Sequence, residues 1–596
     1  MSTHKDRIEA LRAQLGNQQL GGFVVPLTDE HMSEYVGGYA QRLAWLTGFE
    51  GSAGSAAVLA DTAAIFTDGR YTLQVRDQVD GSLYSYQSVP ETNVGDWLAG
   101  QVKIGDRIGY DPWLHTKGWV ESTGKALAAK GAELVAIAEN PIDRVWRDRP
   151  APSGERLMPH GDDLAGQSSA DKRRAVAKFL KDKQADAGVV AALDSIAWLF
   201  NVRGRDVSRT PVGLAFAIVH ADATANLFVD PGKVDATLEA HLGPDVRVRP
   251  RGAFADALEA LGGTVVADPQ TCVAAIFERL KAGGATIIEA RDPCILPKAR
   301  KYAVEIEGTR AAHVRDGAAL TRFLHWFAQE APKGGLDEMT AAERLEGFRR
   351  ETNMLQDLSF DTISGAGPNG AIVHYRVSAE TNRKIEQDSL FLIDSGAQYV
   401  DGTTDVTRTL AVGTPSSEMR DRFTRVLKGH IAVATAVFPR GTRGVQLDTL
   451  ARAPLWEVGL DYAHGTGHGV GSFLAVHEGP QRIAQPGSSQ SGGDEPLAEG
   501  MILSDEPGYY KTGAYGIRVE NLILTVRKDI PGAEKEMLGF ETLTLAPIEL
   551  ALVDVDMLSG KERAWLNAYH ARVRAELTPL LPEEVHGWLA EATKAI

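Results

Sequence analysis

The chain has 596 residues, 43% of them hydrophobic and 24% charged, an ordinary globular composition that excludes a disordered or collagenous polypeptide and allows about four domains, or three if one is large. With 63 Lys and Arg against 79 Asp and Glu, the formal net charge is −16, so there is no basic footprint for gripping a phosphate backbone and nucleic acid is excluded as a partner. Two cysteines, Cys272 and Cys294, make no disulfide framework, and together with the lack of a signal peptide or a long apolar run they predict a cytoplasmic protein without a membrane partner.

In chain order, the first segment reads as mixed α/β: an opening helix, a short strand GGFVVPL (21–27), then AWLTGF, a glycine-rich stretch and the strand pattern AAVLADTAAIFTDG. Residues 150–169, PAPSGERLMPHGDDLAGQSS, are rich in Pro, Gly and Ser and lead into SADKRRAVAKFLKDK, whose helix Ser169 is placed to cap. A boundary is expected there, giving a first domain over 1–155. The next segment echoes the first: DSIAWLFNVRG (194–204), followed by FAIVHA and ANLFVD, repeats the order of LAWLTGFEG (43–51), AAVLA and AIFTD. Two related α/β domains in tandem are therefore expected, the second over 156–300. RDPCILPKARK (291–301) carries two prolines before a long charged helix starting near Tyr302, which opens a third domain over 301–596.

That third segment alternates helices with period-2 strands, SLFLIDSGAQYV, TDVTRTLAV, MILSDEP and YGIRVENLILTV. From about residue 545 the chain ends in a helical extension with a capping box at Ser559 and Glu562 and two helices split by Pro579 and Pro582; this reads as an appended element. Residues 486–496, PGSSQSGGDEP, form a low-complexity loop expected to be a solvated insertion.

Nucleotide and common hydrolase signatures are absent. No GxxxxGK[ST], GxSxG or HExxH occurs, and the glycines of HGTGHGVG (464–471) alternate rather than follow GxGxxG. What remains is Asp394 in LIDSGAQ, Asp405 in GTTDVTRT, His468 in GTGHGVG, Glu506 in SDEPGYY and Glu520 in GIRVENL. On a helix Asp394 and Asp405 would stand about 16 Å apart, too far to share an ion. The turn formers between them instead predict two adjacent antiparallel strands, and EPGYYKTGAYG predicts the same for Glu506 and Glu520. Arg518 and Glu520, two apart, are expected on one face of a strand, as are His464 and His468, with glycines opposite so that backbone approaches closely. Each residue alone has a bland reading as a turn, cap or core residue. Together, four carboxylates and an imidazole suit two divalent cations, Mn²⁺ favoured by the hard oxygen donors and Zn²⁺ or Co²⁺ as alternatives, and such a pair activates water for hydrolysis.

The runs DSGAQYVDGTTDVTRT, HGTGHGVGSFLAVHEGP and SDEPGYYKTGAYGIRVEN, with TDGRYTLQ (67–74) and FETLTLAPIE (540–549), closely resemble the long three-domain Xaa-Pro aminopeptidases (aminopeptidase P) of the pita-bread metallopeptidase family, over essentially the whole chain. The resemblance implies an α/β (α+β) architecture, two creatinase-like N-terminal domains followed by a pita-bread catalytic domain with a dinuclear, usually manganese, centre. It implies that Asp394 holds one metal through both oxygens, that Asp405 and Glu520 bridge, and that His468 and Glu506 hold the other. It further implies that His374 in AIVHYRV, His464 and His477 in VHEGP surround the scissile bond. By their own pattern, His374 is expected in an alternating strand and Arg518 is expected to orient metal ligands. The expected reaction releases the first residue from peptides with a free N-terminus and proline second, with Glu506 relaying a proton and His374 and His477 steadying the oxyanion. A homodimer is expected by family analogy. The competing readings are a prolidase confined to Xaa-Pro dipeptides, a metal-free creatinase-like enzyme, and a non-catalytic peptide-binding protein.

Overall fold

The structure, a computed structural model, describes residues 3–89, 91–487 and 492–596. The chain divides into two compact units, Met1–Ile295 and Leu296–Ile596. No described helix is long and apolar enough to cross a membrane.

The first unit contains two six-stranded sheets. One is made of β1 (Gly22–Pro26), β2 (Ser55–Leu59), β3 (Ala63–Thr67), β4 (Ser85–Ser88), β5 (Arg107–Tyr110) and β6 (Glu133–Ala136), ordered β4-β3-β2-β1-β5-β6. The other is made of β7 (Ala187–Val190), β8 (Phe216–His220), β9 (Ala225–Phe228), β10 (Val246–Arg249), β11 (Thr264–Ala267) and β12 (Thr286–Glu289), ordered β10-β9-β8-β7-β11-β12. The two sheets have the same strand order and the same pattern of directions. β1–β2 and β2–β3 are antiparallel, and β3–β4, β1–β5 and β5–β6 parallel; β7–β8 and β8–β9 are antiparallel, and β9–β10, β7–β11 and β11–β12 parallel. The weak echo between the two Trp-Leu segments thus reflects a duplicated fold. Continuous apolar runs such as Phe23–Val25 and Ala56–Val58 are buried because helices cover both faces of these mixed sheets. The helix Ser169–Asp182 is capped one residue earlier than its sequence suggested: Ser168 Oγ accepts from Asp171 N, and Ser169 is its first residue. Asp68 and Arg70 pair with each other, Nη2 to Oδ2 2.8 Å, as structural residues.

In the second unit, α1 (Ala303–Glu330) begins immediately after Tyr302, as its pattern predicted, and α2 (Glu338–Arg350) packs on it through the buried pair Arg349–Asp316. The strands β13 (Ile363–Ala366), β14 (Ser389–Ser395) and β15 (Val406–Val412) form one antiparallel sheet. A second comprises β16 (Val437–Pro439), β17 (Gly467–Gly469), β18 (Glu478–Ile483), β19 (Ile502–Asp505), β22 (Asn521–Lys528) and β23 (Met537–Thr542) in the order β16-β23-β22-β19-β17-β18, interrupted in sequence by the hairpin of β20 (Gly508–Lys511) and β21 (Tyr515–Arg518). The helices α3 (Ser417–Ala434) and α4 (Gly444–Trp456) pack side by side.

The C-terminal helices α5 (Gly560–Leu577) and α6 (Glu583–Ala592) start and stop where the capping box and prolines indicated. They are not appended, however. Leu566, Tyr569, Val573, Leu577 and Leu589 belong to the same apolar cluster as Leu390, Ile517 and Val519, so the tail completes the core of this unit. Within the 486–496 loop, residues 488–491 lie outside the described residues; its end is tied down where Val445 N donates to Gly493 O, 3.0 Å.

Candidate metal centre

Five strand ends converge in the second unit. Asp394 lies on β14 and pairs across the sheet with Thr407, and the next residues pair as Ser395 with Val406, so Asp405 sits one step beyond on the neighbouring antiparallel strand. Gly396 permits this return: a Cβ there would collide with Thr404 O and Ser359 Oγ. On the other sheet Asp505 pairs with Asn521, which brings Glu506 and Glu520 to adjacent strand ends, with the hairpin β20–β21 between them. Both turned-back carboxylate pairs expected from sequence are formed. Arg518 and Glu520 do not share a strand, however: Arg518 ends β21, and Glu520 lies in the break before β22.

His468 is in β17, between β18 and β19. A Cβ at Gly467 would meet Ser504 O and one at Gly469 would meet Glu478 O, so the glycine face approaches its neighbours closely. His468 Nδ1 lies 3.0 Å from Gly469 O and must donate to it. Nε2 is thereby left as the acceptor nitrogen, 3.5 Å from both Asp405 Oδ2 and Glu506 Oε1. Ser504 Oγ accepts from His468 N at 2.9 Å and donates to Glu506 Oε1 at 3.2 Å, fixing the two relative to each other. Asp405, His468 and Glu520 each present a ligand atom within 4.8 Å of the others.

The electrostatics show what this cluster can hold. Burial, then the charge of Asp394, pushes the Asp405 carboxyl well above the carboxylate range. Burial, with Asp405, Glu506 and Asp394 adding to it, does the same to Glu520. Burial together with Asp405 and Asp394 outweighs the pull of Arg518 and moves Glu506 up to about 8. Asp394 Oδ1 and Asp405 Oδ1 are buried with no hydrogen-bond partner among the described residues. Like-charged carboxylates with orphaned oxygens beside an oriented imidazole are a donor set that fits divalent cations. The side chain of Glu506, 17% exposed, is the most open of those with Asp394 at 10%, His468 at 6% and Asp405 at 5%.

Arg518 is buried against this set. Nη2 donates to Asp394 Oδ2 at 2.6 Å, Nη1 to Tyr510 Oη at 2.7 Å and Nε to Thr407 Oγ1 at 3.1 Å. Thr407 Oγ1 in turn donates to Glu520 Oε2, 2.6 Å. Burial opposes the guanidinium charge, but Tyr510, Asp394, Glu506 and Glu520 outweigh it and hold its pKa well above normal. His464 is not in the strand with His468; it occupies the bend before β17. Its Nδ1 donates to Gly465 O, and Nε2 accepts from Tyr510 Oη at 2.9 Å. Tyr510, which the sequence reading did not select, thus joins His464 to Arg518, and burial raises its hydroxyl to about 12 so that it stays protonated. A usable signal existed: once the hairpin is placed, Gly508 opposes Arg518 and Tyr510 opposes Gly516, which puts Tyr510 and Arg518 on one face.

His477 precedes β18, with its ring 4.3 Å from that of His468. The following Glu478 is buried and held by Lys298 at 3.0 Å and by Lys301. His374 lies in a turn rather than the alternating strand its neighbours suggested, adjacent to Val373, whose carbonyl accepts from Arg518 Nη1 at 3.3 Å. Behind the cluster His430 Nε2 meets Asn521 Nδ2 at 3.0 Å, and its Nδ1 lies 3.0 Å from Asp505 O, bracing the neighbours of both Glu520 and Glu506.

The family profile described as "Metallopeptidase family M24" matches residues 307–527, "Creatinase/Prolidase N-terminal domain" profiles match 7–145 and 148–305, and "C-terminal region of peptidase_M24" matches 536–596. The chain is 39% identical to a probable Xaa-Pro aminopeptidase P of Paracoccidioides brasiliensis (strain Pb03), over 99% of either chain. It is 39% identical to aminopeptidase P2 of Arabidopsis thaliana, over 99% of this chain and 88% of that one. Among solved structures it resembles an X-prolyl aminopeptidase from Caenorhabditis elegans, described as a cytosolic enzyme with a di-nuclear active site, with a TM-score of 0.94, 36% identity and full coverage of both chains.

Proposed function

Given that the chain belongs to metallopeptidase family M24, we propose that it releases the first amino acid from peptides that have a free N-terminus and proline second. The observation that carries this reading is the convergence of Asp394, Asp405, His468, Glu506 and Glu520, with His468 Nε2 3.5 Å from two of the carboxylates, in a chain that matches named Xaa-Pro aminopeptidases from end to end. These five residues are proposed to hold two divalent cations, Mn²⁺ before Zn²⁺ or Co²⁺ because four of the five donors are carboxylates. When bound, such a pair supplies a Lewis acid for the scissile carbonyl and lowers the pKa of water.

The remaining work falls to the chain. Glu506, the most open of the five, accepts a proton and passes it to the proline nitrogen. His477, edge-on to the His468 ring, and His374 face the carbonyl oxygen. Arg518 fixes Asp394, and His464 fixes Tyr510 on the other side of that guanidinium. An Xaa-Pro bond has no N–H, which defeats enzymes that read the backbone at that position and calls for a dedicated site. The domain limits 1–155, 156–300 and 301–596, a cytoplasmic location and a homodimer belong to the same reading.

The test is a length series. Purified chain is expected to release the first residue from tri- to nonapeptides with proline second, to cleave little when alanine replaces proline or the N-terminus is acetylated, to lose activity with a strong chelator and to regain it best with Mn²⁺. Hydrolysis confined to Xaa-Pro dipeptides would install the prolidase reading. Full activity in protein shown by elemental analysis to be metal-free would remove the mechanism.

A further inference from the structure

The first unit holds a cavity of about 500 Å³ to which the function above assigns no role. Its size is that of a small-molecule site. The walls come from both halves of the duplicated fold: Tyr39, Arg42, Trp113 and Arg149 from the first, Phe216, Arg251 and Phe254 from the second. Phe216 and Phe254 stack in parallel with centroids 4.1 Å apart, and the Trp113 ring stands 6.3 and 6.4 Å from them. The Phe216–Phe254 stack and the Trp113 ring inclined 58° to it form an apolar aromatic floor against which a planar ligand can lie.

The polar wall is one-sided in what it leaves unmet. The acids are already engaged: Glu30 Oε1 accepts from Tyr39 Oη at 3.0 Å and from Arg251, and Asp111 accepts from Asn140 Nδ2 at 2.9 Å and Trp113 N at 3.0 Å. Arg42 grips Asp143 through Nε at 2.7 Å and Nη2 at 2.9 Å, and Arg149 Nη1 reaches the same carboxylate at 2.7 Å. Among the described residues lining this cavity, the buried side-chain atoms without a partner are Arg42 Nη1 and Arg251 Nε, both donors. Arg42 is 6% exposed. A buried guanidinium N–H without an acceptor is costly, and an anionic oxygen is its strongest complement. Burial and the like charge of Arg42 also lower the pKa of Arg149, a stress that a bound anion relieves.

We propose that this cavity binds a small aromatic carboxylate, its ring against the Phe216–Phe254–Trp113 floor and its oxygens accepting from Arg42 and Arg251. The site is independent of the metal centre and of the peptidase reading.

The probe pair is 2-naphthoate and its neutral isostere 2-naphthamide, titrated against the full-length chain by calorimetry, with a crystal soak to locate the ligand. Saturable binding of the naphthoate in this cavity, with the amide at least about tenfold weaker, is the expected result. Gly252 lines the cavity and a Cβ there meets nothing within 4 Å, so Gly252→Trp should fold normally, leave peptidase activity unchanged and weaken naphthoate at least about tenfold. Arg42→Met, if it folds, should remove the preference for the acid over the amide. Absence of saturable binding, equal affinity for acid and amide, or undiminished binding in Gly252→Trp would each overturn the proposal.

Discussion

Arg518 and Asp394 form a buried ion pair, Nη2 to Oδ2 2.6 Å, in which the arginine side chain is 2% exposed and the aspartate 10%. One oxygen of Asp394 is thus committed to the guanidinium, while its Oδ1 has no partner among the described residues. The pairing sets which way the carboxylate faces, and it is itself set by Tyr510 and Thr407 on the other guanidinium nitrogens.

Replacing that fork with a point charge should loosen the site while sparing the fold. Arg518→Lys is expected to weaken Mn²⁺ binding to metal-stripped protein by about 10- to 100-fold, because lysine cannot reach Asp394, Tyr510 and Thr407 together. Isothermal titration of Mn²⁺ into wild type and variant reads this directly, and equal affinities would show that the arginine does not position the site.

Glu506 combines the greatest openness of the cluster with a place beside His468. Glu506→Gln is expected to retain the wild-type circular dichroism spectrum and to lower kcat by at least about 100-fold, since it removes both the proposed proton acceptor and a donor charge. A kcat near that of wild type would deny the residue both roles.

The tail can be tested through a single oxygen. Tyr569 Oη accepts from Arg408 Nη2 at 3.0 Å and lies 3.0 Å from Ala546 O, while Arg408 Nη1 donates to Glu520 O at 2.7 Å. Tyr569→Phe leaves the packing intact but strands buried polar groups, and should destabilise the second unit by about 1–3 kcal/mol. Denaturant unfolding measures this; a change below about 0.5 kcal/mol would mean that the Tyr569 hydroxyl does not hold Arg408 and that the tail acts through its apolar packing alone.

A histidine in the first unit predicts acid sensitivity. His115 Nδ1 donates to Asp111 O at 3.0 Å, its ring lies 4.0 Å from that of Trp119, and burial lowers its pKa to about 4. The folded state therefore resists a proton that the unfolded chain takes up near the ordinary value of about 6.5. Stability is full above about pH 6.5 and falls as pH drops toward about 4, by roughly 3 kcal/mol in all. His115→Phe keeps a ring against Trp119 but cannot be protonated, so its stability at neutral pH should be lower and its loss over that window smaller. An unchanged acid slope would assign the sensitivity elsewhere.

Local pattern was enough for much of this protein. Turn formers between period-2 runs predicted that Asp394 and Asp405, and Glu506 and Glu520, lie on returning strands, because alternation and turn chemistry act over a few residues. Glycines flanking His468 foretold close backbone approach, and Ser559 with Glu562 marked the start of α5. The short Trp-Leu echo pointed to a duplicated fold that five strand pairings in each half then displayed. Tertiary structure alone decided what depends on distant partners. Arg408 and Tyr569 are 161 residues apart in sequence, so no window of local pattern could place the tail in the core. His374 lies in a turn although its neighbours alternate, and Tyr510, which hairpin register puts on one face with Arg518, gains its second partner from His464, 46 residues away. The cavity in the first unit has the same origin: no local pattern links Arg42 to Phe254, and they share a wall only because the two halves of the duplication fold against each other. Spacing encodes which face of an element a residue occupies; which other faces it meets is settled by long-range burial.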